Sequence, residues 1–299
     1  MIWRALTFSL AIVLLAAGCG GEDEARPDSS NAVVDAGAEP PYIGALDVNP
    51  KDGSLLMGTN AGTFRVARGS DEIEPIDVKV SARGQSGPAD KGLAFSFTGP
   101  DQLVGSGHPG PGEAVSPLLG LIRSTDGGRT WRNISRLGES DLHSVVERGS
   151  DVVASDGGEA KVIFSDDRGR TFKSRSSPLR LIDMEASPDD SARLVGSSES
   201  GVHTSDDGGQ TWRPRDSVPG ARFAWPAPDR LFRVDGDGAV KRSTDAGETW
   251  KDVGKAPGEP HALAAASPTL LYVADIDGTI RQSRDGGRTW TERARPSSS

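Results

Sequence analysis

Between residues 42 and 295 the apolar positions fall in short runs, each closed off by Gly, Asp, Ser or Pro. Runs of that length bounded by turn formers predict β-strands, not helices. One set reads Leu103-Val104-Gly105, Val152-Val153-Ala154, Leu194-Val195-Gly196, Leu231-Phe232 and Leu271-Tyr272-Val273. A second set follows it, as in Gly201-Val202-His203-Thr204 and Gly278-Thr279-Ile280-Arg281, and a third precedes it, as in Leu93-Ala94-Phe95 and Leu263-Ala264-Ala265. The three sets predict strands b, c and a of a unit that recurs about every 40 residues, the size of a four-stranded propeller blade.

Each c strand runs into a repeated turn. It reads Ser124-Thr125-Asp126-Gly127-Gly128-Arg129-Thr130-Trp131, then Ser165-Asp166-Asp167-Arg168-Gly169-Arg170-Thr171-Phe172. It returns as Ser205-Asp206-Asp207-Gly208-Gly209-Gln210-Thr211-Trp212, Ser243-Thr244-Asp245-Ala246-Gly247-Glu248-Thr249-Trp250 and Ser283-Arg284-Asp285-Gly286-Gly287-Arg288-Thr289-Trp290. The pattern suits a tight hairpin. The Asp carboxylate accepts hydrogen bonds from the turn's own amides, and Gly supplies a positive φ. Thr and Trp then open strand d. Asp126, Asp167, Asp207, Asp245 and Asp285 are therefore read as scaffold, since a fold element must repeat and a catalytic residue need not. A sixth unit opens the domain with Ala45-Leu46-Asp47-Val48, Leu55-Leu56-Met57-Gly58 and Gly62-Thr63-Phe64-Arg65-Val66. Its turn motif is lost, with Ser70-Asp71 as a remnant. The expectation is an all-β propeller of about six blades over 42–295. A seventh would need strands hidden in 67–91, a stretch that looks too short.

The amino-terminal region follows another pattern. Arg4 precedes a largely apolar run at 6–17, too short for a typical membrane span. It ends in Leu15-Ala16-Ala17-Gly18-Cys19, which resembles the bacterial lipobox, with Ala16 where Leu is commoner. The resemblance implies a signal peptide over 1–18 and lipidation at Cys19. Acyl chains add about 0.8 kcal/mol per buried CH₂, so the expected partner here is a membrane of the cell envelope: the outer side of the bacterial cytoplasmic membrane, or the outer membrane in a Gram-negative cell. Residues 19–41 carry no apolar period and read as a tether with a reach of roughly 25 Å. Residues 296–299 read as a tail.

Composition narrows the function classes. The chain has 38 Gly, 20 Pro and a net charge of -9. Glycine and proline suit many turns, and the charge argues against nucleic acid as a partner. The single cysteine excludes a disulfide framework and a cysteine-based metal site. The domain reads as a monomer.

Strand order fixes where a site would lie. The boxes are c–d turns, so functional loops are expected on the opposite face, where the b–c loops lie. The longest is in blade 2, with His108 and Glu113. The others are acidic: Asp156 and Glu159, Glu199, Asp235 and Asp237, and Asp275 and Asp277. These carboxylates are a candidate binding face for a cation or a basic segment; equally, Asp-Gly pairs form turns. His143 and His261 fall near the same face as His108, but no spacing signature supports a metal, and no cofactor is expected. Trp225 ends a strand a near the central channel, where packing is its expected role.

The turn motif, Ser-x-Asp-x-Gly-x-Thr-Trp, resembles the Asp box or BNR repeat of sialidases, sortilin-type propellers and photosystem II assembly-factor-like proteins. Ser106-Gly107-His108-Pro109, Leu119-Gly120-Leu121-Ile122-Arg123 with the box after it, and Ala224-Trp225-Pro226-Ala227-Pro228 resemble a bacterial lipoprotein family labelled as BNR-repeat glycosyl hydrolases. A sialidase-like activity would imply three arginines, an acid Asp and a Tyr–Glu nucleophile. The tyrosines are Tyr42, at the domain edge, and Tyr272, at an apolar strand-b position. The Arg-Ile-Pro motif is absent. The expected function is a binding or assembly module for an unknown protein or glycan; the alternative is a glycoside hydrolase.

Overall fold

The computed structural model describes residues 42–89, 91–109, 116–157, 160–176 and 179–296. Cys19 and the tether, and the loop residues Glu113 and Glu159, lie outside the described residues. What is described consists of strands, turns and bends.

Six sheets form six blades. Blade 1 comprises β1 (Ile43–Val48), β2 (Leu55–Thr59), β3 (Gly62–Val66) and β4 (Glu74–Ile76). Two strands then intervene, β5 (Lys79–Ala82) and β6 (Gln85–Pro88). Blade 2 is β7 (Lys91–Gly99), β8 (Gln102–His108), β9 (Leu121–Ser124) and β10 (Thr130–Ser135). Blade 3 is β11 (Leu142–Arg148), β12 (Asp151–Asp156), β13 (Lys161–Ser165) and β14 (Lys173–Ser176). Blade 4 is β15 (Asp183–Ala186), β16 (Leu194–Ser198), β17 (Gly201–Ser205) and β18 (Arg213–Asp216). Blade 5 is β19 (Arg222–Ala227), β20 (Arg230–Val234), β21 (Ala239–Ser243) and β22 (Lys251–Lys255). Blade 6 is β23 (Pro260–Ala265), β24 (Leu271–Asp275), β25 (Ile280–Ser283) and β26 (Thr291–Ala294).

Each blade is an antiparallel meander in sequence order. The first strands stand around one axis, and β23 meets β1 to close the ring. Each seam between neighbouring blades holds its own apolar cluster. The seam of blades 2 and 3, for example, joins Val104, Leu121, Leu142, Val152 and Ile163. Burial stabilises by about 1.5–3 kcal/mol for each such side chain. No blade holds a complete core alone, so stability depends on closure.

The described residues form no seventh blade, yet 67–91 does carry strands. β4 completes blade 1, while β5 pairs in parallel with β10 and β6 pairs antiparallel with β5, so blade 2 becomes a six-stranded sheet. Val80 and Ala82 bury against the cluster that holds Trp131 and Leu119. The extension covers what would otherwise be an exposed outer edge of blade 2.

The boxes build the expected cages. In blade 2 Asp126 Oδ1 accepts from the Arg129 and Thr130 amides at 3.1 and 2.9 Å and from Ser124 Oγ at 2.8 Å. Thr130 Oγ1 donates to Oδ2 at 2.5 Å. Ser124 Oγ in turn accepts from the Gly128 amide at 3.0 Å, where φ is +90°. Burial alone would raise the Asp126 carboxyl, and the bonds from Thr130, Ser124 and Arg129 outweigh it, so its pKa is lowered.

Outer-strand arginines tie these turns to the preceding blade. Arg175 of blade 3 donates to the Asp207 carbonyl at 3.0 Å and also to that of Gly208. Arg215 of blade 4 pairs with Glu248 in the next box. Arg293 of blade 6 occupies the same place, but its neighbour is the boxless blade 1. It donates to the carbonyls of Ala67, at 2.8 Å, and Ser70. The Ser70-Asp71 remnant forms a small turn in which Ser70 Oγ accepts from the Glu72 amide.

Candidate functional site

The inner strands surround a cavity of about 560 Å³ that opens on the face of the b–c loops. Its mouth is shaped by β-bulges. In blade 3 Leu142 pairs with Asp156 and Ser144 with Ser155, which leaves His143 as the extra residue. In blade 6 Pro260 pairs with Asp275 and Ala262 with Ala274, so His261 is extra. In blade 1 the same position is Gly44. A bulge frees one residue from the ladder and re-aims it; here it turns His143 and His261 into the cavity.

His108, the last residue of β8, joins them there. Its Nδ1 lies 2.9 Å from the Pro117 carbonyl and donates to it, because a carbonyl can only accept. Its Nε2 lies 3.5 Å from Asp141 Oδ1, and His143 Nε2 lies 3.0 Å from Oδ2. Asp141 thus sits between two imidazoles. The hydrogen bond to Asp141 raises the His143 pKa against the opposing effect of burial, and the same bond lowers that of Asp141. His261 moves the other way. Burial, then Arg222, lowers its pKa. Its Nδ1 is buried without a hydrogen-bond partner among the described residues, and Tyr42 meets its ring edge-on at 5.8 Å. Arg180 and Arg222 complete the mouth; Arg222 Nη1 donates to the Ile182 carbonyl at 3.1 Å.

Deeper in the channel the inner strands are braced by side chains. Asp47 Oδ2 accepts from the Phe97 amide of blade 2 at 2.7 Å. Asp183 Oδ2 accepts from the Phe223 amide of blade 5 at 2.8 Å. Arg148 donates to Glu185 Oε2 at 3.3 Å and to the Ala186 carbonyl at 3.1 Å. Loss of water contact pushes Asp47 up to about 6, with the two backbone amides and Arg148 opposing. It pushes Glu185 up to about 8; Arg148 opposes, and Asp183 and Asp47 add to the rise. Asp183 is raised for the same reason.

Of the residues singled out from the sequence, His108, His143, His261 and Trp225 line the cavity. The acidic loop residues do not come together there. Asp235 is buried against Arg233, with Nε 2.9 Å from Oδ1, and burial raises its pKa. Asp275 is buried near Arg281 at 3.2 Å, and burial pushes it up to about 6. Asp156 is also buried. Asp237 and Asp277 are exposed and accept from the Ala239 and Thr279 amides, closing their own turns. Glu199 is exposed on the β16–β17 hairpin. The described residues contain no cluster of three His, Cys, Asp or Glu able to hold a metal ion. Sequence reasoning passed over Asp47, Asp141, Arg148, Arg180, Asp183, Glu185 and Arg222. The available signal for Asp47 and Asp183 was a polar residue in or opening an otherwise apolar inner strand.

Fold and repeats together define an Asp-box β-propeller. A family model described as BNR/Asp-box repeat matches residues 203–214, the third box. No curated protein sequence matches the chain. Among solved structures, YCF48 bound to D1 peptide is 18% identical, with 85% of this chain and 81% of that one covered and a TM-score of 0.51. A GH74 xyloglucanase from Xanthomonas campestris is 16% identical, with 85% and 46% covered and a TM-score of 0.50. An ancestral GH74 enzyme is 12% identical, with 85% and 38% covered and a TM-score of 0.52. The chain spans less than half the length of these two enzymes. At such identities the likeness is one of fold.

Proposed function

We propose that the protein is a lipid-anchored binding module of the bacterial cell envelope that seats a carboxylate-bearing segment of a partner in the mouth of its channel. The observation that carries this reading is the division of charge at the cavity. Every carboxylate there is engaged: Asp141 by two histidines, Asp47 and Asp183 by backbone amides, Glu185 by Arg148. Arg180 and Arg222 line the cavity without a salt bridge to any described residue. The rim therefore offers positive charge and the Tyr42 edge to a ligand, in a protein of net charge -9. YCF48, solved with D1 peptide bound, supports a peptide as the ligand class.

The test uses peptides with a free C-terminal carboxylate and their amidated counterparts, measured by fluorescence anisotropy. The free-acid peptides should bind, and Arg180→Glu with Arg222→Glu should weaken them by about tenfold or more. Equal binding of free-acid and amidated peptides, or no loss in the double variant, sinks the reading. The anchor is tested separately. Cys19→Ser should move the protein from the membrane to the soluble fraction; retention would remove the lipid from the proposal.

A second reading, a glycoside hydrolase, is favoured by one observation. Two carboxyls in one cavity, Asp47 and Glu185, are held near 6 and 8, a split that suits acid–base work. Against it, both Asp47 oxygens accept backbone amides. Turnover of a fluorogenic glycoside, abolished by Glu185→Gln, would establish this reading over the first.

A further inference from the structure

The loss of the box in blade 1 has a structural result on the opposite face. At five seams a box glycine of the following blade packs against the blade before it. Gly128 meets Leu56, Gly169 meets Leu121, Gly209 meets Val162, Gly247 meets Thr204 and Gly287 meets Val240. At the seam of blades 6 and 1 no box is available. A cleft of about 710 Å³ stands there instead.

Three guanidiniums line the cleft: Arg68 from blade 1, Arg284 and Arg293 from blade 6. None has a carboxylate partner among the described residues. Arg293 donates only to carbonyls, Arg284 Nη2 reaches Gln282 Oε1 at 3.5 Å, and Arg68 lies exposed against Gly53. The acids in the lining are already engaged, Asp52 by Arg65 at 2.8 Å and Asp47 by the Phe97 amide. Lys51, the fourth cation, pairs with Asp101. The buried wall carries a phenol. Tyr272 holds the middle of strand b, where the other blades have Leu56, Val104, Val153, Val195 and Phe232, and Gln282 Nε2 donates to its hydroxyl at 3.3 Å. Arg284 is likewise singular: the second box position is Thr125, Asp166, Asp206 and Thr244 elsewhere. Three arginines without a carboxylate partner thus stand around one cleft and all act on the Tyr272 phenol, a local concentration of positive charge in a protein of net charge -9.

We propose that this cleft is a second binding site, separate from the channel mouth, and that it takes an oxyanion, a carboxylate or a phosphate. Arg68 and Arg284 hold the anion from two sides, Arg293 adds charge from the floor, and the Tyr272 hydroxyl donates the neutral hydrogen bond. Arg293 also closes the ring, so the site forms only when blades 6 and 1 have met.

The experiment is calorimetry on the full-length protein in detergent at low ionic strength, with inorganic phosphate and glucuronate as probes, in an Arg180→Glu, Arg222→Glu background so that the proposed carboxylate site at the channel mouth does not contribute. One of them should bind and raise the melting temperature. Arg68→Ala and Arg284→Ala, both exposed and outside the ring clasp, should each weaken it by about tenfold. Tyr272→Phe should weaken it by about fivefold. Arg213→Ala, exposed on the outer strand of blade 4 and outside both sites, should leave it unchanged. Preference for phosphate points to a phosphate ester as the natural ligand, and preference for glucuronate to an acidic sugar. Binding of neither probe overturns the proposal. So does binding that survives both arginine variants, or that is lost with Arg213→Ala.

Discussion

The two faces of this propeller are built by opposite rules. On one face five blades repeat the same cage, with the Asp carboxylate closed by Ser, Thr and backbone donors. On the other, the blades do not share one motif. The bulge position carries Gly44 in blade 1, His143 in blade 3 and His261 in blade 6. What repeats holds the ring, and what does not repeat surrounds the cavity. Substitutions on the two faces should therefore dissociate stability from binding.

The largest effect is expected on the box face. Asp126→Ala leaves the donors of Ser124, Arg129 and Thr130 without their acceptor. Urea unfolding should show a loss of about 2–3 kcal/mol, while peptide binding at the channel mouth stays at the wild-type level in the folded protein. A stable variant that no longer binds would show that the boxes take part in recognition and break the comparison.

The box carboxyls and the buried acids of the channel also answer acid in opposite senses. The carboxyls of Asp126, Asp167, Asp207, Asp245 and Asp285 are all lowered from 3.8, Asp207 to about 2. Their contribution is present above about pH 4 and is lost as the pH falls through the folded pKa values. The channel acids are raised, Asp47 to about 6 and Glu185 to about 8. Above pH 4 the unfolded chain releases these protons and the folded protein keeps them. Stability therefore declines as the pH rises towards 6 for Asp47 and 8 for Glu185. His143, raised by Asp141, acts in the same direction, because its contribution is lost as it deprotonates. The melting temperature should peak near pH 4–5 and fall on both sides. Glu185→Gln should match wild type at pH 5 and melt higher at pH 8, by differential scanning calorimetry. Equal melting temperatures at both pH values would show that Glu185 is ionised throughout.

The box face was legible in the sequence because a local motif makes a local structure. The Ser, Asp and Thr of a cage all lie within a few residues of one another, so spacing alone specifies it. The channel is not local. Asp47 meets the Phe97 amide 50 residues away and Asp183 meets the Phe223 amide 40 away, and only ring closure brings those strands together. The histidines could be assigned to a face because strand order is readable; their turn into the cavity depends on bulges, which are set by register. The same limit applied at 67–91. β5 is four residues long and pairs with β10 some 50 positions on, so little in its own pattern marks it as part of blade 2. Tyr272 was readable as a strand position, but the three arginines around it come from separate turns and an outer strand.

The smallest expected effect sharpens the assignment of binding to the channel instead of the surrounding loops. Glu199 sits at the tip of the β16–β17 hairpin on the same face as the cavity, and by charge alone it belonged with the acidic loops. The hairpin does not use it: the Ser200 amide donates to Ser198 Oγ at 3.1 Å, and the two hydroxyls lie 2.8 Å apart. The carboxylate accepts no hydrogen bond and pairs with no cation among the described residues. Glu199→Ala should change stability by no more than about 0.5 kcal/mol and leave peptide affinity unaltered. The same titration run on Asp237→Ala, whose carboxylate only closes its own turn, should give the same result. A marked loss of affinity in either would place the ligand on the loop tips, where carboxylates select a cationic partner, and the channel mouth with its arginines would no longer be the recognition surface.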